Sequence, residues 1–168
     1  GNISYIVNGE KVNVSFTIGA NGYVAVALPI DVIAKGGLSN ASVRMTADSN
    51  VSAMLLNRRP FSTDISYLIE DSGLGKEYYV ASFGSNILGR EQYSVQGTVD
   101  GTQVTITRPN GAIENVTLNA GQVYFIQGNN LTGTKITSSE NVSVFSGSEC
   151  GNVPVGSTFC DHLYEQIP

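Results

Sequence analysis

Three dipeptides punctuate this chain: Asn8-Gly9, Asp100-Gly101 and Asn110-Gly111. Such pairs accept the positive φ that a two-residue hairpin turn requires and most residues resist. Asn21-Gly22 and Asn119-Ala120-Gly121 mark further turns. Between them the apolar residues alternate with polar ones. Val104 and Ile106 interleave with Thr105 and Thr107, Val116 and Leu118 flank Thr117, and Val142 and Val144 flank Ser143. Period two turns one set of side chains inward and the other outward, which is strand geometry. Composition agrees, with 18 Val, 13 Ile and 12 Thr among 168 residues. β-Branched side chains lose rotamer freedom in a helix and pack well on a pleated sheet. The expectation is an all-β fold, with a single helical turn over Pro29–Ala34 that Gly36-Gly37 ends.

The second half reads as a meander. Its expected strands are Tyr93–Val99, Thr102–Thr107, Ala112–Leu118, Gln122–Gln127, Thr134–Thr137, Val142–Ser146 and His162–Gln166. That density is sandwich-like. The first half reads as another copy. Asn8-Gly9 and Asn13-Val14-Ser15-Phe16 match Asn110-Gly111 and Asn115-Val116-Thr117-Leu118, in order. Thr46 and Asn50-Val51-Ser52 then match Thr137 and Asn141-Val142-Ser143. The chain is therefore expected to hold two tandem sandwich-like repeats, about 1–90 and about 91–168. A propeller-type arrangement is the alternative, since meanders also close radially. Residues 1–168 are expected to be a fragment of a longer array, with an edge strand missing at one or both ends.

Charge narrows the function. Charged residues make up 14 per cent, and the net charge is −5. So few scattered cations leave no footprint for nucleic acid. No 18-residue apolar run exists to insert into a membrane. Asn-X-Ser/Thr occurs at Asn2, Asn13, Asn40, Asn50, Asn115, Asn130 and Asn141, where composition alone gives roughly three such sites. The excess points to a glycosylated extracellular surface. In that setting Cys150 and Cys160, ten residues apart, are expected to form a disulfide.

Little in the sequence carries catalytic chemistry. His162 is the one imidazole. Adjacent Asp161 points to the opposite face of a strand and cannot orient it, and Ser146-Gly147-Ser148 is no nucleophile elbow. Asp161, His162 and Glu165 are the next candidates, as cation ligands, but three mixed donors without an Asp-rich loop fall short of a metal site. Asp48, Asp64, Glu70, Asp71 and Glu91 could in principle pair for glycoside hydrolysis. They read instead as solvated loop and edge positions. No glycine loop leads into a helix to cradle phosphate. The expectation is no catalytic residue, no metal and no cofactor. Arg58-Arg59-Pro60 reads as a loop tip. The tyrosines, among them Tyr23, Tyr67, Tyr78, Tyr79, Tyr93, Tyr124 and Tyr164, read as cross-strand packing groups.

One set of blocks carries a resemblance. Leu131-Thr132-Gly133-Thr134, Val144-Phe145-Ser146-Gly147, Cys150, Val153-Pro154, Cys160-Asp161-His162 and Glu165-Gln166 follow in order. Over Gly75–Pro168 this resembles the N-terminal region of IgG Fc-binding proteins, found in large secreted mucus-associated and adhesive proteins. Over Gly1–Ser72, Val51–Leu56, Asp64, Tyr67-Leu68 and Leu74-Gly75 follow the looser pattern of that family's preceding unit. The resemblance makes Asp161, His162 and Glu165 family-motif residues. It implies a non-enzymatic extracellular binding, adhesion or structural module of a larger secreted glycoprotein. The implied partners are mucin, matrix components or immunoglobulin Fc, together with neighbouring repeats of the parent chain. A carbohydrate-binding module is the alternative and a hydrolase the third reading.

Overall fold

The computed structural model describes residues 1–84, 90–154 and 156–168. Among them are β1 (Asn2–Val7), β2 (Glu10–Ser15), β3 (Gly37–Ser39), β4 (Val43–Thr46), β5 (Met54–Arg59), β6 (Ser62–Tyr67) and β7 (Gly75–Tyr79). The second half adds β8 (Glu91–Gly97), β9 (Thr102–Thr107), β10 (Ile113–Leu118), β11 (Val123–Gly128), β12 (Lys135–Gly151) and β13 (Asp161–Gln166). The chain is all-β, as the alternation predicts. The helical turn expected at Pro29–Ala34 is a single 3-10 turn over Ile30–Val32. Asn8 and Gly9 take φ of 53° and 83° and close the β1–β2 hairpin, the role such a dipeptide exists to fill.

Strand β12 organises the second half. Thr134–Thr137 and Val142–Ser146 are expected as separate strands, yet Lys135–Thr137 and Val142–Ser146 lie on one strand of 17 residues. The intervening Ser138-Ser139-Glu140-Asn141 holds no Gly or Pro to reverse the chain. A register irregularity between Thr137 and Val142 takes up the slack instead. The first part of β12 pairs with β9 on one side and β7 on the other. Its later part pairs with β8 and β13. These strands thus make one curled eight-stranded sheet, ordered β10-β9-β12-β8-β11-β3, with β7 and β13 also paired to β12. Its strands and connections supply the core of Tyr78, Val80, Tyr93, Val95, Val104, Ile106, Leu118, Leu131, Ile136, Val142 and Val144.

The first half is more open. β2-β1-β4 form a three-stranded sheet, and β5 and β6 form a separate hairpin. β3 joins the second half by pairing with β11. Residues 16–29 form no strand, and Tyr23, expected beside one, is almost fully exposed. Residues 85–89, at the expected boundary between copies, lie outside the described residues.

A polar clamp between β6 and β13 as the candidate functional site

Strand β13 is bonded to β12 along one edge by a regular antiparallel ladder. Side chains of β6 satisfy the other edge. The His162 N–H donates to Ser62 Oγ at 2.9 Å, and the Gln166 N–H donates to Ser66 Oγ at 3.1 Å. Two serine hydroxyls four residues apart lie on one face of β6, so they reproduce the spacing of alternate donors along β13. A free sheet edge is thereby blunted without a further strand.

The His162 ring sits inside this seam. Its Nδ1 lies 2.9 Å from the Asn57 amide and 3.3 Å from Asp64 Oδ2. Its Nε2 lies 3.0 Å from the Gln92 amide. The side chains of His162 and Asp64 are 23 and 18 per cent exposed, so the pair is mostly withdrawn from water. Two residues on, Tyr164 shares a hydrogen bond with Ser94 Oγ at 2.7 Å and stacks on Phe145, with ring centroids 5.0 Å apart. Burial pushes the Tyr164 hydroxyl up to about 12, against the lowering effect of Ser94. Gln166 closes the row. Its Oε1 accepts from the Ile69 N–H at 2.7 Å, and its amide nitrogen donates to Ser143 Oγ at 2.8 Å. Of the alternate residues on this face of β13, His162 and Gln166 thus reach polar groups of the first half, while Tyr164 bonds to Ser94 of β8. Beside Gln166 a cavity of about 440 Å³ is lined by Gln96, Ser143, Phe145, Leu68 and Arg44.

The chemistry of this arrangement is cohesion. A histidine that acts as a base keeps one nitrogen free for the proton it takes. Here both ring nitrogens face protein groups, and among the described residues no hydroxyl or thiol is hydrogen-bonded to either. Ser146 and Ser148 are buried within β12 and donate to the carbonyls of Ala81 and Arg90, so that motif forms no elbow. Asp161 and Glu165 are exposed, on the face of β13 opposite His162. Among the described residues no three His, Cys, Asp or Glu side chains converge on a point that could hold a metal.

Two of the carboxylates read as solvated are not. Asp64 belongs to the clamp. Glu91 is 7 per cent exposed and accepts from the backbone N–H groups of Asn130, Leu131 and Thr132 at 2.8–2.9 Å, and from Ser82 Oγ. Burial raises its pKa, but those hydrogen bonds together outweigh burial and hold the carboxyl below the ordinary glutamate value. Three successive amides converging on one carboxylate fix the loop that carries Leu131-Thr132-Gly133-Thr134. Tyr93 and Tyr78 are core residues, as the packing reading has it, whereas Tyr23 and Tyr67 are exposed.

Cys150 and Cys160 are disulfide-bonded, with their Cα atoms 5.1 Å apart. The bridge ties the end of β12 to the start of β13, directly before His162. Of the sequon asparagines, Asn13, Asn40, Asn50, Asn115 and Asn130 are exposed, while Asn2 and Asn141 are partly covered.

Asn57 and Gln92, which hold the ring, carry no signal in the sequence: they stand 105 and 70 residues from His162. Only the family-motif position of His162 pointed to this seam. The comparisons with known proteins agree. The sequence profile described as IgGFc binding protein matches residues 64–168, from Asp64 of the clamp to the last residue. A human protein named IgGFc-binding protein is 28% identical over 139 residues, covering 75% of this chain. The chain spans only 2% of that relative's length. No solved structure matches significantly. With the profile covering more than half of its length, including both cysteines and the whole His162 strand, the chain belongs to the IgGFc-binding protein family.

Proposed function

We propose that this chain is a non-enzymatic extracellular binding or adhesion module of a larger secreted glycoprotein. The observation that carries the reading is the engagement of His162. The one imidazole of the chain has both nitrogens held by Asn57, Asp64 and Gln92. It therefore works as a tie between strands. Family membership supports a binding role, and the relative's name supplies immunoglobulin Fc as one ligand to test. Mucin and matrix glycoproteins are the other ligands of this reading. The disulfide fits an oxidising compartment. The exposed sequons fit a glycosylated surface.

The two halves are proposed to be copies of one unit. In support, β2-β1-β4 and β10-β9-β12 share strand order and antiparallel pairing. The β5–β6 hairpin also follows β4 much as β13 follows and pairs with the later part of β12. A module of this kind gains affinity by repetition along its parent chain.

The test is surface binding of the disulfide-intact chain to human IgG Fc, to purified mucin, to matrix glycoproteins and to a glycan array. Saturable binding to a glycoprotein that survives enzymatic deglycosylation is expected. Binding to free glycans alone replaces this reading with a carbohydrate-binding module. Hydrolysis of any of these ligands overturns it.

A further inference from the structure

The tip of the β5–β6 hairpin runs against the preference of its own turn. Arg59 pairs with Ser62, so Pro60 and Phe61 are the two loop residues. Phe61 takes φ of 68°. A turn with Pro first and a positive φ second ordinarily has Gly or Asn in the second place, because a Cβ is strained there. A bulky aromatic in that region is an outlier. Packing does not offset the strain, since Phe61 is fully exposed. Glycine would remove both the strain and the exposed ring. Their retention at one residue points to a use outside the fold.

The charges at the tip say what that use takes. Phe61 lines an open recess of about 700 Å³ together with Arg58, Arg59, Thr63 and Asp161. Five of the nine Lys and Arg side chains are ion-paired, and Arg58 and Arg59 are not among them. Asp161 is the single carboxylate on the recess, and among the described residues it pairs with neither arginine. Two guanidiniums against one carboxylate make the recess net positive on a chain of net charge −5. Its base is firm. Ser62 Oγ accepts from the His162 N–H at 2.9 Å, and the Cys150–Cys160 bridge ends just before Asp161. Phe159, two residues before Asp161, is 84 per cent exposed. Its carbonyl accepts from the Asn152 amide at 3.0 Å and from Ser157 Oγ at 2.9 Å, which fixes the loop that carries it. Aromatic anchors on rigid supports with unpaired arginines are the composition of a protein-binding hot spot.

We propose that the β5–β6 tip docks an acidic segment of a partner polypeptide. This rests on the binding-module reading above and names the chemistry of the partner. Arg58 and Arg59 take carboxylates of that segment, since a guanidinium matches a carboxylate with two parallel hydrogen bonds. Phe61 enters among apolar side chains of the partner, where removal from water stabilises the contact. Asp161 opposes the same carboxylates and limits the affinity.

The probe is a fluorescently labelled random copolymer of glutamate and tyrosine, run beside a copolymer of lysine and tyrosine and beside heparin. The disulfide-intact chain is expected to bind the acidic copolymer saturably, heparin more weakly and the basic copolymer not at all. Phe61→Gly weakens binding by about tenfold or more, while its thermal midpoint stays level or rises because glycine suits the turn. Exchanging both arginines, Arg58→Glu with Arg59→Glu, weakens binding at least as much. Asp161→Asn strengthens it. Tyr23→Ser, which removes an exposed aromatic elsewhere, leaves it unchanged. No binding to the acidic copolymer overturns the proposal, as does heparin binding of equal strength. So does an arginine exchange without effect, or an Asp161→Asn chain that binds more weakly. A Phe61→Gly chain that binds as before overturns it too, and so does one with a lower midpoint, because Phe61 would then serve the fold. The module reading fails separately: the copolymer is bound as described, yet Fc, mucin and matrix glycoproteins are not.

Discussion

Glu91 shows how differently one residue reads in sequence and in space. In the sequence it is one of 14 acidic residues and a natural candidate for a solvated strand end. In the fold it is the acceptor for three backbone amides and a serine hydroxyl. Glu91→Gln would turn amide hydrogens toward those N–H groups. The expected loss is about 1–3 kcal/mol of stability at neutral pH, measured by urea unfolding. The pH dependence has a definite sign. Because the folded-state pKa of Glu91 lies below its unfolded value, its contribution is fully present above the ordinary glutamate range. It is lost as pH falls through the depressed folded value. Stability of the native chain should thus fall more steeply than that of Glu91→Gln on the acid side. Parallel acid limbs would show that the carboxylate is not held as its contacts imply. Asp64 makes the complementary case. Asp64→Ala leaves a ring nitrogen of His162 short of its acidic partner and loosens β6 from β13. The expected cost is about 1–2 kcal/mol, together with a displaced His162 imidazole resonance in NMR spectra. An unmoved resonance would mean that Asp64 does not touch the ring.

At the level of elements, β9, β10, β11 and β13 were readable from alternation and turn dipeptides, to within a residue or two at their ends. The continuity of β12 was not. Local pattern reports where a strand alternates, whereas continuity depends on neighbours, here β7, β8, β9 and β13 arranged along one 17-residue strand. The pairing of β3 with β11 and the packing of β5–β6 on β13 were equally invisible, because both join segments far apart in the chain. Gly147 makes the point physically. It reads as part of a serine-flanked motif, but its place is set by β13. A Cβ there would lie 1.7 Å from the Leu163 carbonyl oxygen. Gly147→Ala must push β13 away from β12, at an expected cost of about 1–3 kcal/mol or more for overpacking, checked by chemical denaturation. Unchanged stability would show that the strands are not this close. The disulfide acts on the same pair of strands. Replacing both cysteines by serine should cost roughly 2–3 kcal/mol, given the short loop it closes. Intact mass with and without reductant, differing by two hydrogens, checks that the bridge is present.

Across the whole molecule the two halves are unequally built. The core runs from Tyr78 to Val144 and includes no residue of β1–β6. Among the described residues up to Tyr67, the end of β6, Tyr5 and Val32 are the buried hydrophobic ones, and Ser66 is buried through its hydrogen bonds to β13. Hydrophobic burial scales with apolar area removed from water, so most of the stability resides in β7–β13. The first half is held to it largely by the polar clamp and by the β3–β11 pairing. Net intramolecular hydrogen bonds contribute only about 0.5–1.5 kcal/mol each, so this attachment is the weaker one. The chain should therefore open in stages. Native-state hydrogen exchange is expected to show the slowest amides in β8, β9 and the later part of β12. Those of β1, β2 and β5 should exchange faster, through an opening well short of global unfolding. Reduction of the disulfide should speed exchange in β13 and, through the clamp, in β6, while leaving β9 and β10 nearly unchanged. Exchange at one common free energy across all these strands would mean that the clamp couples the halves as firmly as a hydrophobic core, and the staged account would fail.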